Sequence, residues 1–406
     1  MKTADPELMR AINRFHVMDA IRRFGPLSRV EISERTDLSP TTVSAITAAL
    51  LDDGLIATLQ LGALRDASRG RPRVMLRLNP DAARVVGVKL APDLITVAVT
   101  DFCANLISKL SLPIRVRRQT PAVIADLVED GVRRCVSDAE LEMKDIAGLC
   151  VGLPGVVANA TGVCRQSPIF SERDVGFGDL LTRRLGVAVA VDSDVNLVAL
   201  AEHWFGQGRE LDDFLVVSIE RSLGLGILHR GELFRGANGL SPDLGDFMVG
   251  GAATAGARLG DLATEDSLLA EVEGLSAGEG EGYAHDKAVA RAVQRAEAGE
   301  VKYASALERA GEALGFAIAN LITLFAPPKV LICGRALAGS ERLLAPLRAT
   351  VAALLPPSLA DVADIVVREW SDDIWVRGAA AMTLRELYGA SWGTTGPAKP
   401  KPDAET

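Results

Sequence analysis

The sequence predicts an α/β protein in which a small, basic, largely helical module precedes two similar α/β lobes that face a cleft. Three observations carry this expectation. A chain of 406 residues exceeds what one hydrophobic core holds and calls for two or three domains. Residues 1–80 carry 12 Lys and Arg against 9 Asp and Glu, whereas the rest carries 32 against 44, so the net charge of −9 conceals a cationic end. A strand, tight turn and strand occur at Val85–Asp101 and again at Phe214–Gly236, which argues for two related lobes, at 81–190 and 191–374. The sequence holds no run of about 18 uncharged apolar residues, and its first residues lack a signal peptide's apolar stretch. A cytoplasmic location without a membrane partner is expected. Cys103, Cys135, Cys150, Cys164 and Cys333 stand far apart with no C-x-x-C pair, which suits buried reduced thiols better than disulfides or a thiolate zinc site.

Within the basic module, Leu8, Ile12, Phe15, Met18 and Ile21 recur at helical spacing, predicting an amphipathic helix from Pro6 to Phe24 that ends at Gly25-Pro26. The run "SRVE" at Ser28–Glu31 is a capping box that starts a second helix, with Leu27 as its staple. After a short turn at Thr36–Leu38, Ser39 caps a third helix with Pro40 in first position, where a missing N–H costs nothing. On that helix Val43, Ile46 and Leu50 are expected to face inward, and Thr41, Thr42, Ser44, Ala45, Thr47 and Ala48 outward. Such a small, hydroxylated, nearly uncharged face suits a major groove, where it can meet phosphates and thymine methyls. Two strands, Leu55–Leu59 and Val74–Leu78, then flank "RGRPR". Its Arg69, Arg71 and Arg73, around Gly70 and Pro72, make a narrow cationic prong for the minor groove or for phosphates. Parts in this order form a winged helix-turn-helix whose partner is double-stranded DNA. The expected contacts are Ser39, Thr41, Thr42, Ser44, Ala45, Thr47, Arg69, Gly70, Arg71 and Arg73.

After Asn79-Pro80 the texture changes to apolar strands and Gly-rich turns. "IAGLCVGLPG" (Ile146–Gly155) is a buried strand entering a Gly-Pro turn, and "VAVAVDSDVNLVALAEHWFG" is a strand entering a helix. "GEALGFAIANLITLFAPPKVLICG" gives a helix, a Pro-Pro break and a strand closing on Cys333-Gly334. The Gly- and Glu-rich stretch Glu271–Glu300 reads as a solvated helical excursion, a helix near 375–392 is expected to pack back on the first lobe, and the tail 393–406 reads as disordered. His203 and His229 suit packing or surface positions rather than catalysis. A cleft between the lobes is where a ligand would bind.

These landmarks resemble the ROK family, repressors and sugar kinases built on the actin-like ATPase fold, over roughly residues 5–390. The repressor branch is matched by the winged helix followed by Gly70–Pro72 and Arg77–Pro80. The kinase-like body is matched at Gly152–Gly155, Ser193–Asn196 and Gly231–Gly239. The resemblance implies an α/β fold of a winged helix-turn-helix followed by a two-lobed actin-like body. It also implies a sugar or sugar phosphate as effector, an inverted-repeat operator, a homodimer or dimer of dimers, and carbohydrate genes as targets. Ser193, Asp194, Asn238, Gly239, Asp243 and Asp246 are the expected ligand contacts. Asp194 matches the kinase general base, and it could equally cap the helix that follows while presenting an oxygen to the cleft. Asp243 and Asp246 could accept sugar hydroxyls or be solvated turn residues.

The departures from the kinase pattern weigh against phosphoryl transfer. The first phosphate loop, usually acidic residue-Gly-Gly-Thr, reads Leu90-Ala91-Pro92-Asp93, which removes an N–H donor and adds a carboxylate. The second reads Glu220-Arg221-Ser222 before Leu223–Gly226 in place of Gly-Thr-Gly, and Arg221 could pair with Glu220 or Asp93 to seal that site. Asp243 stands where the family has Glu and Asp246 where it has a zinc-binding His, while no cysteine lies between Cys164 and Cys333. The expectation is therefore a regulator without catalytic residue, metal or cofactor. An ATP-dependent sugar kinase carrying a DNA-binding module is the alternative.

Overall fold

In the computed structural model, which describes residues 6–59, 74–114, 118–250, 256–275, 283–335, 337–369 and 372–389, the chain opens with α1 (Pro6–Phe24) and the two-residue strand β1 (Leu27–Ser28). The wing tip with Arg69, Gly70, Arg71 and Arg73, and the tail 393–406, lie outside the described residues. Helix α2 (Arg29–Thr36) starts at the expected capping box: the Ser28 amide donates to Glu31 Oε2 at 2.8 Å and the Glu31 amide returns to Ser28 Oγ at 3.4 Å. Two backbone donors that no helical carbonyl can reach are thereby satisfied. Asp37, at φ 55°, turns the chain to Ser39, whose hydroxyl accepts from the Thr42 amide at 3.1 Å and starts α3 (Pro40–Asp52). The wing strands β2 (Ile56–Leu59) and β3 (Met75–Leu78) pair antiparallel, and β1 adds to β3. Met18, Ile32, Val43, Leu50 and Leu76 close the module's core with no exposed surface.

The body holds two five-stranded sheets of the same design. The first lobe contributes β4 (Arg84–Leu90), β5 (Leu94–Asp101), β6 (Leu106–Pro113), helix α4 (Pro121–Asp138) and β7 (Ile146–Leu153). A small sheet follows, β8 (Val156–Ala158), β9 (Val163–Gln166) and β10 (Val175–Gly176), then α5 (Phe177–Leu185) and β11 (Val189–Ser193). The second lobe begins with α6 (Asp194–Phe205), β12 (Phe214–Ile219), β13 (Leu223–His229) and β14 (Glu232–Leu233). It continues through β15 (Met248–Val249), β16 (Ala257–Arg258) and helices α7 (Gly260–Ala263), α8 (Glu265–Glu273), α9 (Tyr283–Glu297) and α10 (Val301–Phe325). It closes with β17 (Lys329–Gly334), α11 (Glu341–Leu354) and β18 (Asp364–Glu369), before the final helix α12 (Asp372–Gly389). The sheet orders are β6-β5-β4-β7-β11 and β14-β13-β12-β17-β18. In each, three antiparallel strands are extended by two parallel ones, so the duplication read from the two apolar hairpins extends to whole sheets.

Helix α12 returns to the first lobe, packing across β4 and β7 and along α6. One expectation fails. The stretch read as a solvated excursion contains α9, which buries Ala288, Val289, Ala292 and Ala296 in the core of the second lobe. Alanines at i, i+4 and i+8 make a seam narrow enough for close helix contact, and the flanking Gly and Glu residues hide it. Among the described residues, no helix is long and apolar enough to cross a membrane.

Candidate DNA-binding face and interlobe site

On α3, Thr41, Ser44, Ala45 and Ala48 are exposed and Thr42 is half-buried, with Ser39 exposed at the cap. Thr47 is a correction: it is fully buried, its hydroxyl accepting from Arg29 Nε at 2.8 Å. Val43, Thr47 and Leu50 stand at i, i+4 and i+7, so the helical period sets Thr47 in the inward stripe and leaves Ile46 half-buried at its edge. Ser39→Ala removes the side chain that satisfies the Thr42 amide and is expected to cost the module about 1 kcal/mol, read as a lower denaturant midpoint.

Between the lobes lies a cavity of about 710 Å³, within the range of small-molecule sites. The end of β11 and the start of α6 bring Ser193 and Asp194 to it, the β12–β13 turn brings Glu220 and Arg221, and the loop after β14 brings Pro242 and Asp243. Ser193, in extended conformation, is the residue that precedes the helix, so Asp194 is the first helical residue and not its cap. Asp194 Oδ1 accepts from the Val195 amide at 2.8 Å. Burial, reinforced by the negative charge of Glu220 and countered in part by Lys89, pushes its carboxyl up to about 7. Ser193 is only 2% exposed, and its hydroxyl has no hydrogen-bond partner among the described residues.

Asp243 Oδ1 accepts from the Gly245 amide at 2.9 Å, and burial again raises the carboxyl above its usual range. The other three expected contacts do not reach the cavity. Asp246 points outward and pairs with Arg258. Asn238 is exposed, and Gly239, at φ 69°, forms a turn whose carbonyl accepts from the Asn159 amide at 3.4 Å. That turn ties the second lobe to the small sheet of the first, so its glycine answers a backbone need away from the cleft.

Residues 85–386 match the model of the ROK family, and residues 10–57 match that of the winged helix-turn-helix DNA-binding family. The chain belongs to the ROK family. Among similar ROK relatives, the xylose repressor of Caldicellulosiruptor bescii is 26% identical, covering 85% of this chain and 88% of its own. The DNA-binding transcriptional dual regulator NagC of Escherichia coli is 26% identical, covering 81% of each. A solved ROK family transcriptional regulator, a homolog of the E. coli MLC protein, superposes with TM-score 0.77 at 22% identity, over 94% of this chain and 97% of that one. A ROK family glucokinase from Streptomyces griseus, in complex with glucose and AMPPNP, superposes with TM-score 0.59 at 20% identity, over 74% of this chain and 99% of that one. These structures establish the fold, a winged helix-turn-helix followed by the actin-like two-lobed body.

Behind the cleft of this ROK chain lies a buried polar network that the sequence reading missed. Asp192, with no exposed surface, accepts from Arg235 Nη2 at 2.5 Å, Asn196 Nδ2 at 2.8 Å, Asn159 Nδ2 at 3.1 Å and the Ser193 amide at 2.7 Å. Asn196 also donates to Ser241 Oγ at 2.7 Å. The network joins the end of β11, the first turn of α6, the loop after β14 and the residues after β8, and so fixes where Ser193 and Asp194 stand. A signal existed: a buried aspartate that follows the apolar run Val187–Val191 and is next to last in the strand Val189–Ser193 has to be paired.

Proposed function

We propose that this protein is a sugar-responsive transcriptional repressor acting in the cytoplasm as a homodimer or dimer of dimers. The α3 face and the arginine wing would engage an inverted-repeat operator, and a sugar held between the lobes would release it. The observation that carries this reading is one chain joining a DNA-binding module to a carboxylate-lined cleft through a buried α1–α6 contact. The names of the relatives, a xylose repressor and NagC, support carbohydrate genes as targets.

Cleft charge favours an unphosphorylated ligand. Eight carboxylates line it (Asp93, Glu172, Asp194, Glu220, Asp243, Glu265, Asp266, Asp286) against the cations Lys89, Arg118, Arg173, Arg221 and Arg335. A phosphate placed about 5 Å from one unscreened carboxylate meets roughly 3 kcal/mol of repulsion at an effective dielectric near 20, whereas sugar hydroxyls donate to the same oxygens. The same surface argues against phosphoryl transfer, because Pro92 lacks an N–H and Asp93 and Glu220 put negative charge where phosphates would need donors. A kinase reading draws on one observation, the Asp194 carboxyl poised near neutrality as a general base would be.

Two measurements test the proposal together. Full-length protein and labelled genomic fragments at modest salt should give saturable binding, weakened at least fivefold by one of D-xylose, D-glucose or N-acetyl-D-glucosamine and unaffected by their 6- or 5-phosphates. Incubation with ATP and the same sugars should give no turnover above background. ATP-dependent sugar phosphorylation, or failure to bind any fragment, would overturn it.

A further inference from the structure

Helix α6 reaches both sites. Asp194 and Val195 at its start line the interlobe cleft with Ser193. His203 and Trp204 in its last turn line a second cavity of about 260 Å³ together with Phe15, Asp19 and Arg23 of α1 and Arg385 of α12. Its 12 residues span about 18 Å at 1.5 Å each.

The helix has no slack along that length. Every residue from Val195 to Trp204 is buried. Gly378 of α12 approaches so closely that a Cβ there would collide with the Leu197 carbonyl, and a Cβ on Gly152 of β7 would collide with the Leu197 side chain. From the second lobe, a Cβ on Gly226 of β13 would sit 3.0 Å from the Val195 carbonyl oxygen and from Ala199 Cβ. Elements of both lobes therefore grip α6 backbone to backbone. Packing this dense transmits a displacement instead of absorbing it in side-chain rearrangement.

The far end holds the DNA module by specific contacts. The Arg22 guanidinium lies 4.2 Å above the Trp204 ring and donates to the Trp204 carbonyl at 3.3 Å. Trp204 in turn stacks on Tyr388 at 5.4 Å and 19°, and Tyr388 donates its hydroxyl to the Phe102 carbonyl at 2.9 Å. Arg23 Nη2 lies 2.6 Å from His203 Nε2. A guanidinium only donates, so His203 accepts and is neutral, as burial beside Arg23 and Arg22 requires. Asp19 bridges the pair, lying 2.6 Å from Arg22 and 2.7 Å from Arg23, and Asp212 adds a second carboxylate 3.2 Å from Arg23. Helix α1 carries Val17, Met18 and Ile21 into the same core as Val43 and Leu50 of α3, so whatever shifts α1 shifts the groove-facing helix.

We infer that α6 is the mechanical link between the two sites, its first turn sensing the interlobe ligand and its His203–Trp204 end carrying the displacement to α1 through Arg22 and Arg23. The inference rests on the effector-responsive reading above. Coupling of this kind needs a ligand that favours one position of α6 over another, and it is reciprocal, so DNA should weaken sugar binding by the same factor.

The test uses full-length Trp204→Leu and Arg23→Met, neither of which touches the cleft or the α3 face. Sugar affinity by calorimetry and DNA affinity without sugar, by anisotropy, should each stay within about twofold of wild type. The factor by which D-xylose, D-glucose or N-acetyl-D-glucosamine weakens DNA binding should fall from its wild-type value to below twofold. Arg23→Met is the milder change and serves should Trp204→Leu unfold. A wild-type sugar response in both folded variants would overturn the inference while leaving the repressor reading intact. Should wild type itself show no sugar response, hydrogen exchange in Asp194→Asn decides without a ligand: a fivefold change in α1 amide exchange, abolished by Trp204→Leu, supports the link while the effector reading falls. Unchanged α1 exchange removes both.

Discussion

Asp194→Asn is expected to make the protein more stable at pH 8 and markedly less sensitive to its effector. The folded chain holds this carboxyl at about 7 against an ordinary 3.8, mainly through burial and the neighbouring charge of Glu220. Each unit is worth about 1.4 kcal/mol, which bounds the cost of keeping the group ionised at about 4 kcal/mol. Asp194 borders the water of the cleft and is half-buried by surface area, so screening reduces this to roughly 2 kcal/mol. The sign follows from the direction of the shift. Below about pH 4 the group is protonated in folded and unfolded chains alike, and wild type and variant should melt together. As pH rises towards 7 the unfolded chain ionises freely while the folded one resists, so wild type loses stability that Asn keeps. Above pH 7 the gap is complete. Urea midpoints at pH 4, 6 and 8 measure it, and a difference independent of pH would defeat the argument. The variant's loss lies in recognition: an ionised oxygen that accepts a sugar hydroxyl is worth about 1.5 to 3 kcal/mol, so sugar binding should weaken roughly 10- to 100-fold.

Which parts of this molecule could be read in advance depends on the range of the forces that place them. Caps are local, so Ser28 with Glu31 and Ser39 with Pro40 set the starts of α2 and α3 within a few residues of sequence. Lobe duplication was visible because a buried hairpin needs two apolar runs and a tight turn, and both copies carry them. Thr47 departs from the outward position its hydroxyl suggests because the helical period turns it inward, and the Arg29 that satisfies it sits on another helix. The alanine seam of α9 escaped notice for the converse reason, since small residues carry a weak hydrophobic signal while making the closest contacts. In the cleft, the family resemblance points to Asp194 and Asp243, which line the cavity, and equally to Asn238, Gly239 and Asp246, which do not. A loop of a few residues turns most of its side chains elsewhere, and here only Pro242 and Asp243 of that loop reach the cavity. Of the buried network behind the site only Asp192 is legible in sequence, as a carboxylate that needs a partner; which partners it takes is not, because they come from other segments of the chain.

That network makes the second large prediction. Asp192→Ala should lower stability by about 3 to 5 kcal/mol, because it strands the Arg235 guanidinium, 20% exposed, beside the donors of Asn196, Asn159 and the Ser193 backbone, all built around one carboxylate. The loss belongs to the stranded charge more than to the missing bond. Removing both partners should therefore cost less than removing one: Asp192→Leu with Arg235→Met is expected to be more stable than Asp192→Leu alone, with a coupling of at least about 2 kcal/mol in the double-mutant cycle built from Asp192→Leu, Arg235→Met and the pair. Stability and function should part company in that double variant. The Ser193 amide and Asn196 would no longer be held by a common acceptor, the first turn of α6 would lose its fixed position, and the DNA-bound protein should respond weakly to sugar even though it is folded. Urea denaturation gives the cycle, and anisotropy with and without sugar gives the response. Additive costs would mean that Asp192 and Arg235 act as independent packing residues. A folded double variant with a full sugar response would mean that the network stabilises the lobes without positioning the site.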